Sequence, residues 1–485
     1  MLSQTTTAND FNQSLQAKAL LATKWWPYAN TSDHYCKWHG IVCNKERSVI
    51  EISLYRNYLG DRPHLGSLDF SSFPNLVTLD IDYCGLEGSI PEQIGLLSNL
   101  TYLSLWWNRL TGNLPVSLTN LTRLEYLDLS FNNFSGGLPV SLANLIRLEI
   151  LDLSINHFSG GLPVSLANLT RLEYLDLSFN NFSGNLPDSF TNLIRLEYLY
   201  LYRNNFSGEL PDPFTNLIRL EYLDLSENNF SGKLPVSLTN LTRLEYLVLS
   251  HNNFSGELPV SLANLTHLKY LVISKNKLTG PIPPSYGSKL NLTYLDLSTN
   301  QLNASIPNEI TNLQNLVTLN LGDNNFDGPI PSNFCNLSQL RYLNLGMNSL
   351  SGSIPLGIAN LMNIEHVDLN HNSLVGLIHG NLSRISYLNV SSNQLSGNLS
   401  FQNPCNLKHL DLSMNHMTGD LTSLLDCSAL EYLDLRSNNF VGEELNNLEF
   451  PYLKFLNQSL NKNLTANATV QLQSRIEKLA CFAVL

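Results

Sequence analysis

The chain has 485 residues, with 28 Lys+Arg against 40 Asp+Glu and a net charge of -12. That acidic balance excludes a binder of the nucleic-acid backbone, which needs a basic face. Only 14% of residues are charged, yet no run of 18 or more apolar residues occurs, so no segment reads as membrane-spanning.

The first ten residues, MLSQTTTAND, lack the basic and apolar regions of a secretory signal. From Val49 onward the sequence falls into frames of the form L-x-x-L-x-L-x-x-N. They open at Val49, Leu76, Leu100, Leu124, Leu148, Leu172, Leu196, Leu220 and Leu244. They continue at Leu268, Leu292, Leu316, Leu340, Ile364, Ile385, Leu407 and Leu430, with a degenerate eighteenth at Leu453, where Gln458 takes an apolar position. Between Leu76 and Ile364 every step is 24 residues. A unit that short has no core of its own and must bury its leucines against its neighbours. Length alone suggests about three domains, but the repeat overrides that expectation.

Within one unit, Leu127 and Leu129 alternate with Tyr126, Asp128 and Ser130. That period of two predicts a short strand with leucines inward and the other three side chains outward. Asn132, which can donate and accept, is placed to satisfy the backbone at the turn. Leu138, Leu142 and Leu145 fill the rest of the core, and Pro139 argues against a long helix there. Parallel strands about 4.8 Å apart would give a contour of roughly 85 Å over the whole array.

The stretch LTYLSLWWNRLTGNLP, Leu100 to Pro115, resembles the plant-type leucine-rich repeat. CKWHGIVC, Cys36 to Cys43, is similar to the amino-terminal cap of that family, and AKALLATKWW, Ala17 to Trp26, looks like its short capping helix. The resemblance covers about Ala17 to Leu464. It implies an α/β-type leucine-rich-repeat solenoid: a right-handed superhelical horseshoe with a parallel sheet on its concave face and short 3₁₀ turns and loops on its convex face. The expected organisation is a cap over 1–48, 17 to 18 repeats over 49–464 and an atypical tail over 465–485, QLQSRIEKLACFAVL at its end. The tail lacks repeat spacing and could form a short helix. The implied function is the extracellular ligand-recognition ectodomain of a plant receptor-like kinase or receptor-like protein, with a role in signalling or plant defence. Two features of the family are not seen here. There is no kinase signature or membrane span, and the paired-cysteine carboxy-terminal cap is missing.

Among seven cysteines, the resemblance implies a Cys36–Cys43 disulfide. His34 and His39 flank that pair and leave a metal reading open, although the spacing is not a standard zinc arrangement. Cys84 stands where a turn asparagine belongs and reads as a buried replacement. Cys405 and Cys427 lie one repeat apart and either bridge or sit in the core, while Cys335 and Cys481 have no evident partner. Candidate glycosylation sites are Asn99, Asn120, Asn133, Asn168, Asn240, Asn291, Asn336 and Asn463. Their motifs also multiply simply because the repeat does.

A solenoid offers its outward strand residues as one surface. Tyrosines recur there from Tyr102 to Tyr294, and aspartates recur at Asp128, Asp152, Asp176, Asp224 and Asp296. Aspartates about 5 Å apart repel by roughly 0.8 kcal/mol per pair even in water, so such a ladder would favour a basic ligand group. The same residues are also simply how the consensus is spelled. Departures from consensus single out Trp106 and Trp107, then Tyr200, Tyr202 and Arg203, then Tyr55, Arg56, Asp80, Asp82 and Tyr83. His251, Lys275, Asp323, His371 and Arg436 occupy the same edge in later repeats. Tryptophan is a favoured anchor of binding hot spots.

No nucleophile elbow, zinc-protease helix or phosphate loop occurs, so the sequence suggests no reaction and no cofactor or metal. The expected partners are a peptide or protein on the concave face and a leucine-rich-repeat co-receptor kinase near the carboxy-terminal end. Two alternatives stand beside this reading. One is a secreted inhibitor of pathogen wall-degrading enzymes, similar to polygalacturonase-inhibiting proteins; the other is a truncated, non-signalling paralogue.

Overall fold

The structure, a computed structural model, describes residues 8–26, 34–56, 59–60, 62–212, 216–378, 382–399, 405–442 and 450–464. The atypical tail and Cys481 lie outside the described residues. The chain forms two compact units, Met1–Asn252 and Asn253–Leu485.

The first unit opens with a helix over Ala8–Thr23. The sequence places a capping helix over Ala17–Trp26; the structure ends it earlier. Lys24 takes a left-handed backbone, φ 60°, which no helix continues through. Thr23 then holds the exit, donating its hydroxyl to the Leu20 carbonyl and accepting from the Trp25 N–H. Gln16, 1% exposed, ties the helix to the first strand. Its Oε1 accepts from the Val49 N–H at 3.1 Å and its Nε2 donates to Ser48 Oγ at 3.2 Å.

Cys36 and Cys43 are disulfide-bonded, which consumes both thiols and closes the metal reading. His34 serves instead as an acceptor for the Cys36 N–H. The strand Ile41–Cys43 runs antiparallel to Val49–Tyr55, and every following rung of the unit is added in parallel.

The rung built on Leu124 shows the physical logic. Leu124, Leu127 and Leu129 are fully buried, each removal from water contributing about 1.5–3 kcal/mol. Leu127 pairs in register with Leu151 of the next rung, flanked by Tyr126 opposite Ile150 and Asp128 opposite Asp152. A slip of one residue would turn the leucines outward, so the register is fixed by the core. Ser130 departs from the expected outward position: it is 2% exposed. Its N–H and hydroxyl both donate to Asp128 Oδ1, at 2.9 and 2.6 Å, as the chain turns away from the strand.

Asn132 closes the turn as its chemistry suggests. Its Nδ2 donates to the carbonyls of Leu129, Ser130 and, in the preceding rung, Leu105. Its Oδ1 accepts from the Leu110 N–H, also in the preceding rung, at 2.9 Å. Cys84 occupies this place once, buried, with its thiol donating to the carbonyls of Leu54 and Asp82.

Two further features do not follow from the leucine period. Short second strands such as Asn133–Gly136 and His157–Gly160 also pair in parallel. Beneath them Phe134, Phe158, Phe182, Phe206 and Phe230 stack as a fully buried spine, with ring centroids 6.0–6.1 Å apart. In most described rungs the outer segment is a five-residue 3₁₀ helix such as Val140–Asn144, entered through Pro139.

The second unit repeats this architecture from the outer strand Asn253–Glu257 to the inner strand Phe455–Asn457. A short α-helix, Pro284–Lys289, replaces one 3₁₀ segment. It leaves room only for glycine at Gly287, where a Cβ would lie against the Glu309 carbonyl. Cys405 and Cys427 bridge adjacent rungs as a second disulfide, resolving the alternatives left by their spacing. In the degenerate last frame Gln458 is buried at the apolar position, and its carbonyl accepts from Asn461 Nδ2. Both units are leucine-rich-repeat solenoids built from parallel strands.

Candidate functional site

In the first unit, seven of the singled-out residues gather on neighbouring rungs. The residue just before each turn asparagine has a left-handed backbone; Arg56, Tyr83, Trp107 and Phe131 lie between φ 50° and 54°. That shared conformation files their side chains along one edge of the strands. The Arg56 guanidinium lies 5.4 Å from the Tyr55 ring and 5.1 Å from the Tyr83 ring. Tyr83 meets Trp107 edge-on at 5.3 Å, and Trp107 stacks on Phe131 at 4.6 Å with 11° between planes. Trp106 packs edge-on against both Trp107 and Phe131. Tyr55, Tyr83 and Trp107 remain 53%, 41% and 43% exposed, a concentration of apolar ring surface open to solvent.

Asp80 and Asp82 lie beside this cluster on one strand. Asp82 Oδ1 accepts from Ser104 Oγ at 2.7 Å and from the Trp106 N–H at 2.8 Å; Asp80 Oδ2 accepts from Ser53 Oγ at 3.0 Å. Burial pushes both carboxyls up, and with the Asp80 charge nearby Asp82 reaches about 7. Near neutral pH this pair therefore holds a proton part of the time.

Tyr200, Tyr202 and Arg203 form a separate group further along the same unit. Tyr200 packs between Tyr174 and Tyr222, while Tyr202 and Arg203 both cover the Phe179 ring. Arg203 Nε also pairs with Glu227 at 2.6 Å. His251 and Lys275 are exposed edge residues, one in each unit, and join neither group.

The aspartate ladder is a structural device as well as a surface. Asp128, Asp152, Asp176 and Asp224 each cap the N–H two residues on. Burial pushes the Asp152 carboxyl up to about 7, with the Asp176 and Asp128 charges adding to the effect. The charge offered to a ligand is thus smaller than the count of aspartates suggests.

In the second unit the ring column, followed only to Tyr294 from the sequence, resumes at Tyr342. From there Tyr342, His366, Tyr387, His409, Tyr432 and Phe455 stack in one file with centroids 4.0–4.4 Å apart. Burial holds His366 neutral, down to about 4, with His409 adding to it. The small residue Thr318 stands in this column between Tyr294 and Tyr342. On the same rung and the next, Gly322 and Gly346 stand where other rungs carry serine, and a notch opens there. Large departures from consensus do not mark Thr318, Gly322 and Gly346; the loss of side chains there does.

Leucine-rich-repeat models match residues 62–186 (Leucine-rich repeat region), 203–254, 267–288, 291–313, 315–337, 339–361 and 403–420. The chain belongs to the leucine-rich-repeat family. No curated protein matches it in sequence. Among solved structures, this leucine-rich-repeat chain is similar to a TDR receptor, at 29% identity over 82% of this chain and 74% of that one, TM-score 0.71. It is similar to the Arabidopsis receptor kinase HAESA, solved with the peptide hormone IDA and the co-receptor SERK1, at 28% identity over 94% of both chains, TM-score 0.64. It is also similar to PEPR1 in the PEPR1–AtPEP1 structure, at 26% identity over 94% of this chain and 83% of that one, TM-score 0.57. Its leucine-rich repeats are thus of the plant receptor-ectodomain type.

Proposed function

We propose that this chain is an extracellular ligand-recognition domain of a plant receptor-like protein, and that its ligand is a peptide lying along the strand face. The observation that carries this is the likeness to HAESA over 94% of both chains, in a structure that holds a peptide hormone and a co-receptor. The same likeness favours this reading over the inhibitor of pathogen enzymes. A co-receptor kinase near the carboxy-terminal end would complete the assembly. The role is binding rather than catalysis, as is usual for this fold.

Within the first unit the aromatic edge from Tyr55 to Phe131 is the proposed hot spot. Exposed Trp and Tyr rings that already pack on one another lose little freedom when a ligand covers them. Selecting a random twelve-residue peptide library against the secreted protein tests the reading. The expected result is a convergent peptide family whose synthetic members compete with one another in calorimetry. A selection that yields no sequence able to compete would overturn it.

A further inference from the structure

The notch in the second unit is the product of two missing side chains. Most other rungs carry serine at this position, as at Ser274, Ser298, Ser391 and Ser413, and the following rung carries Asn370, whereas two adjacent rungs carry Gly322 and Gly346. Neither glycine has a left-handed backbone, so conformation does not require them. What they provide is room for their neighbours: a Cβ would lie 2.6 Å from Asn344 Nδ2 at Gly322 and 2.6 Å from Asn370 Oδ1 at Gly346, so each asparagine folds over the glycine beside it and leaves the notch in front open. The notch measures about 140 Å³, well below the roughly 300–1,000 Å³ range of ligand pockets, which suits a single side chain rather than a whole small molecule.

Its chemistry is one-sided. Two carboxyls, Asp323 and Asp368, line it, and none of its lining residues is Lys, Arg or His. Asp368 Oδ1 accepts from the Asn370 N–H at 3.0 Å, which fixes the carboxyl against the wall. Asn370 Oδ1 is buried and without a hydrogen-bond partner, and it points at Gly346, where a Cβ would lie 2.6 Å from it. An orphaned buried acceptor costs on the order of 1–3 kcal/mol unless a donor arrives. Burial also holds the Asp368 carboxyl above its ordinary range, an effect that an incoming positive charge reverses. The half-exposed Met347 thioether stands beside these oxygens and offers apolar contact for an alkyl stem. Among the described residues no group of three or more His, Cys, Asp or Glu could hold a metal ion.

We infer that this notch is a binding site for a basic side chain, a guanidinium or ammonium head with its alkyl stem, contributed by the peptide ligand. The head takes Asp368 and Asn370 Oδ1, and Asp323 supplies charge at the rim. This rests on the peptide-binding reading and adds to it the chemical class that one subsite selects.

The test has two arms and one central variant, Gly322→Ser with Gly346→Ser, which restores the residue other rungs carry and fills the space. In the first arm N-acetyl-arginine amide is titrated and observed by saturation-transfer NMR, beside its neutral analogue N-acetyl-citrulline amide. Binding of the arginine compound to the wild-type protein alone is expected. Equal signals from the two compounds, or from the two proteins, would overturn the inference. In the second arm, library-selected peptides should share one basic position, and its replacement by citrulline should weaken binding at least tenfold to wild type and not to the variant. Selected peptides without a basic residue would overturn the notch and leave the receptor reading standing. A selection that returns nothing overturns the receptor reading, and the arginine titration still decides the notch. Should the double variant fold poorly, Asp368→Asn, which keeps the acceptor for the Asn370 N–H, should lose arginine binding in its place.

Discussion

Replacing Asn156 with alanine tests the turn ladder at its centre. Asn156 is 6% exposed. Its Nδ2 donates to the carbonyls of Leu129, Leu153 and Ser154 at 3.0, 3.2 and 3.1 Å, and its Oδ1 accepts from the Phe134 N–H at 3.0 Å. Alanine removes all four bonds and leaves a buried N–H with no acceptor. One unsatisfied buried group costs about 1–3 kcal/mol and each lost bond about 0.5–1.5 kcal/mol. Allowing for carbonyls that keep other donors, a loss of about 2–4 kcal/mol is expected. In a repeat array that loss concentrates at one junction rather than spreading over the chain. Hydrogen exchange read by mass spectrometry should therefore show lost protection over residues 129–156 and little change beyond neighbouring rungs. The exposed neighbour Asn133 is the control, and Asn133→Ala should leave exchange unchanged. If Asn156→Ala altered exchange by less than about 0.5 kcal/mol, or altered it uniformly along the chain, the account of the ladder would be wrong.

Three further predictions concern other parts of the molecule. Cys405→Ala with Cys427→Ala removes a bridge between residues 22 apart, and urea unfolding should reveal a loss of about 3 kcal/mol relative to the oxidised wild type; equal midpoints would contradict it. Burial raises the folded-state values of Asp82 and Asp152 to about 7, so between pH 4 and 7 these two carboxyls bind more protons folded than unfolded. Their effect outweighs the opposite one of His366, held down to about 4, and stability falls as pH rises. Asp152→Asn should flatten that slope and raise stability at pH 8 by at least about 1 kcal/mol; a wild-type profile that climbs over this window would refute the reasoning. Trp106→Ala with Trp107→Ala should weaken binding of a selected peptide at least about thirtyfold, the scale of a hot-spot residue, while secretion continues; unchanged affinity would retire the aromatic edge.

Much of the fold was legible because one residue type recurs under a hard constraint. Leu127 and Leu129 can face the core in only one register, and Asn132 has both donor and acceptor for a turn repeated in every rung. What depended on contacts between rungs was not legible. Two local features were missed as well: the Asp128 carboxyl, two residues away, draws Ser130 under the strand, and Lys24 ends the helix inside AKALLATKWW. The spacing of Cys405 and Cys427 allowed a bridge, but bonding required Cα atoms 4.8 Å apart, a property of stacked rungs. For the candidate sites, large residues such as Trp107 announce themselves in a sequence, and seven of those singled out do meet. A space made by Gly322 and Gly346 becomes visible only when Asp368 and Asn370 stand around it.

The turn asparagine carries a consequence for how such a chain can change. Asn132 serves the Leu105 carbonyl and the Leu110 N–H, and Asn156 serves the Leu129 carbonyl and the Phe134 N–H, so each unit completes the one before it by the same contacts. Every join is then interchangeable with every other. A whole unit can be inserted or deleted between two joins, and the new neighbours meet the same partners as the old. A shift of a few residues instead misplaces an asparagine and strands a buried amide. Growth by whole units is therefore nearly neutral for folding, and the length of surface presented to a ligand is free to drift until selection acts on the few rungs that differ.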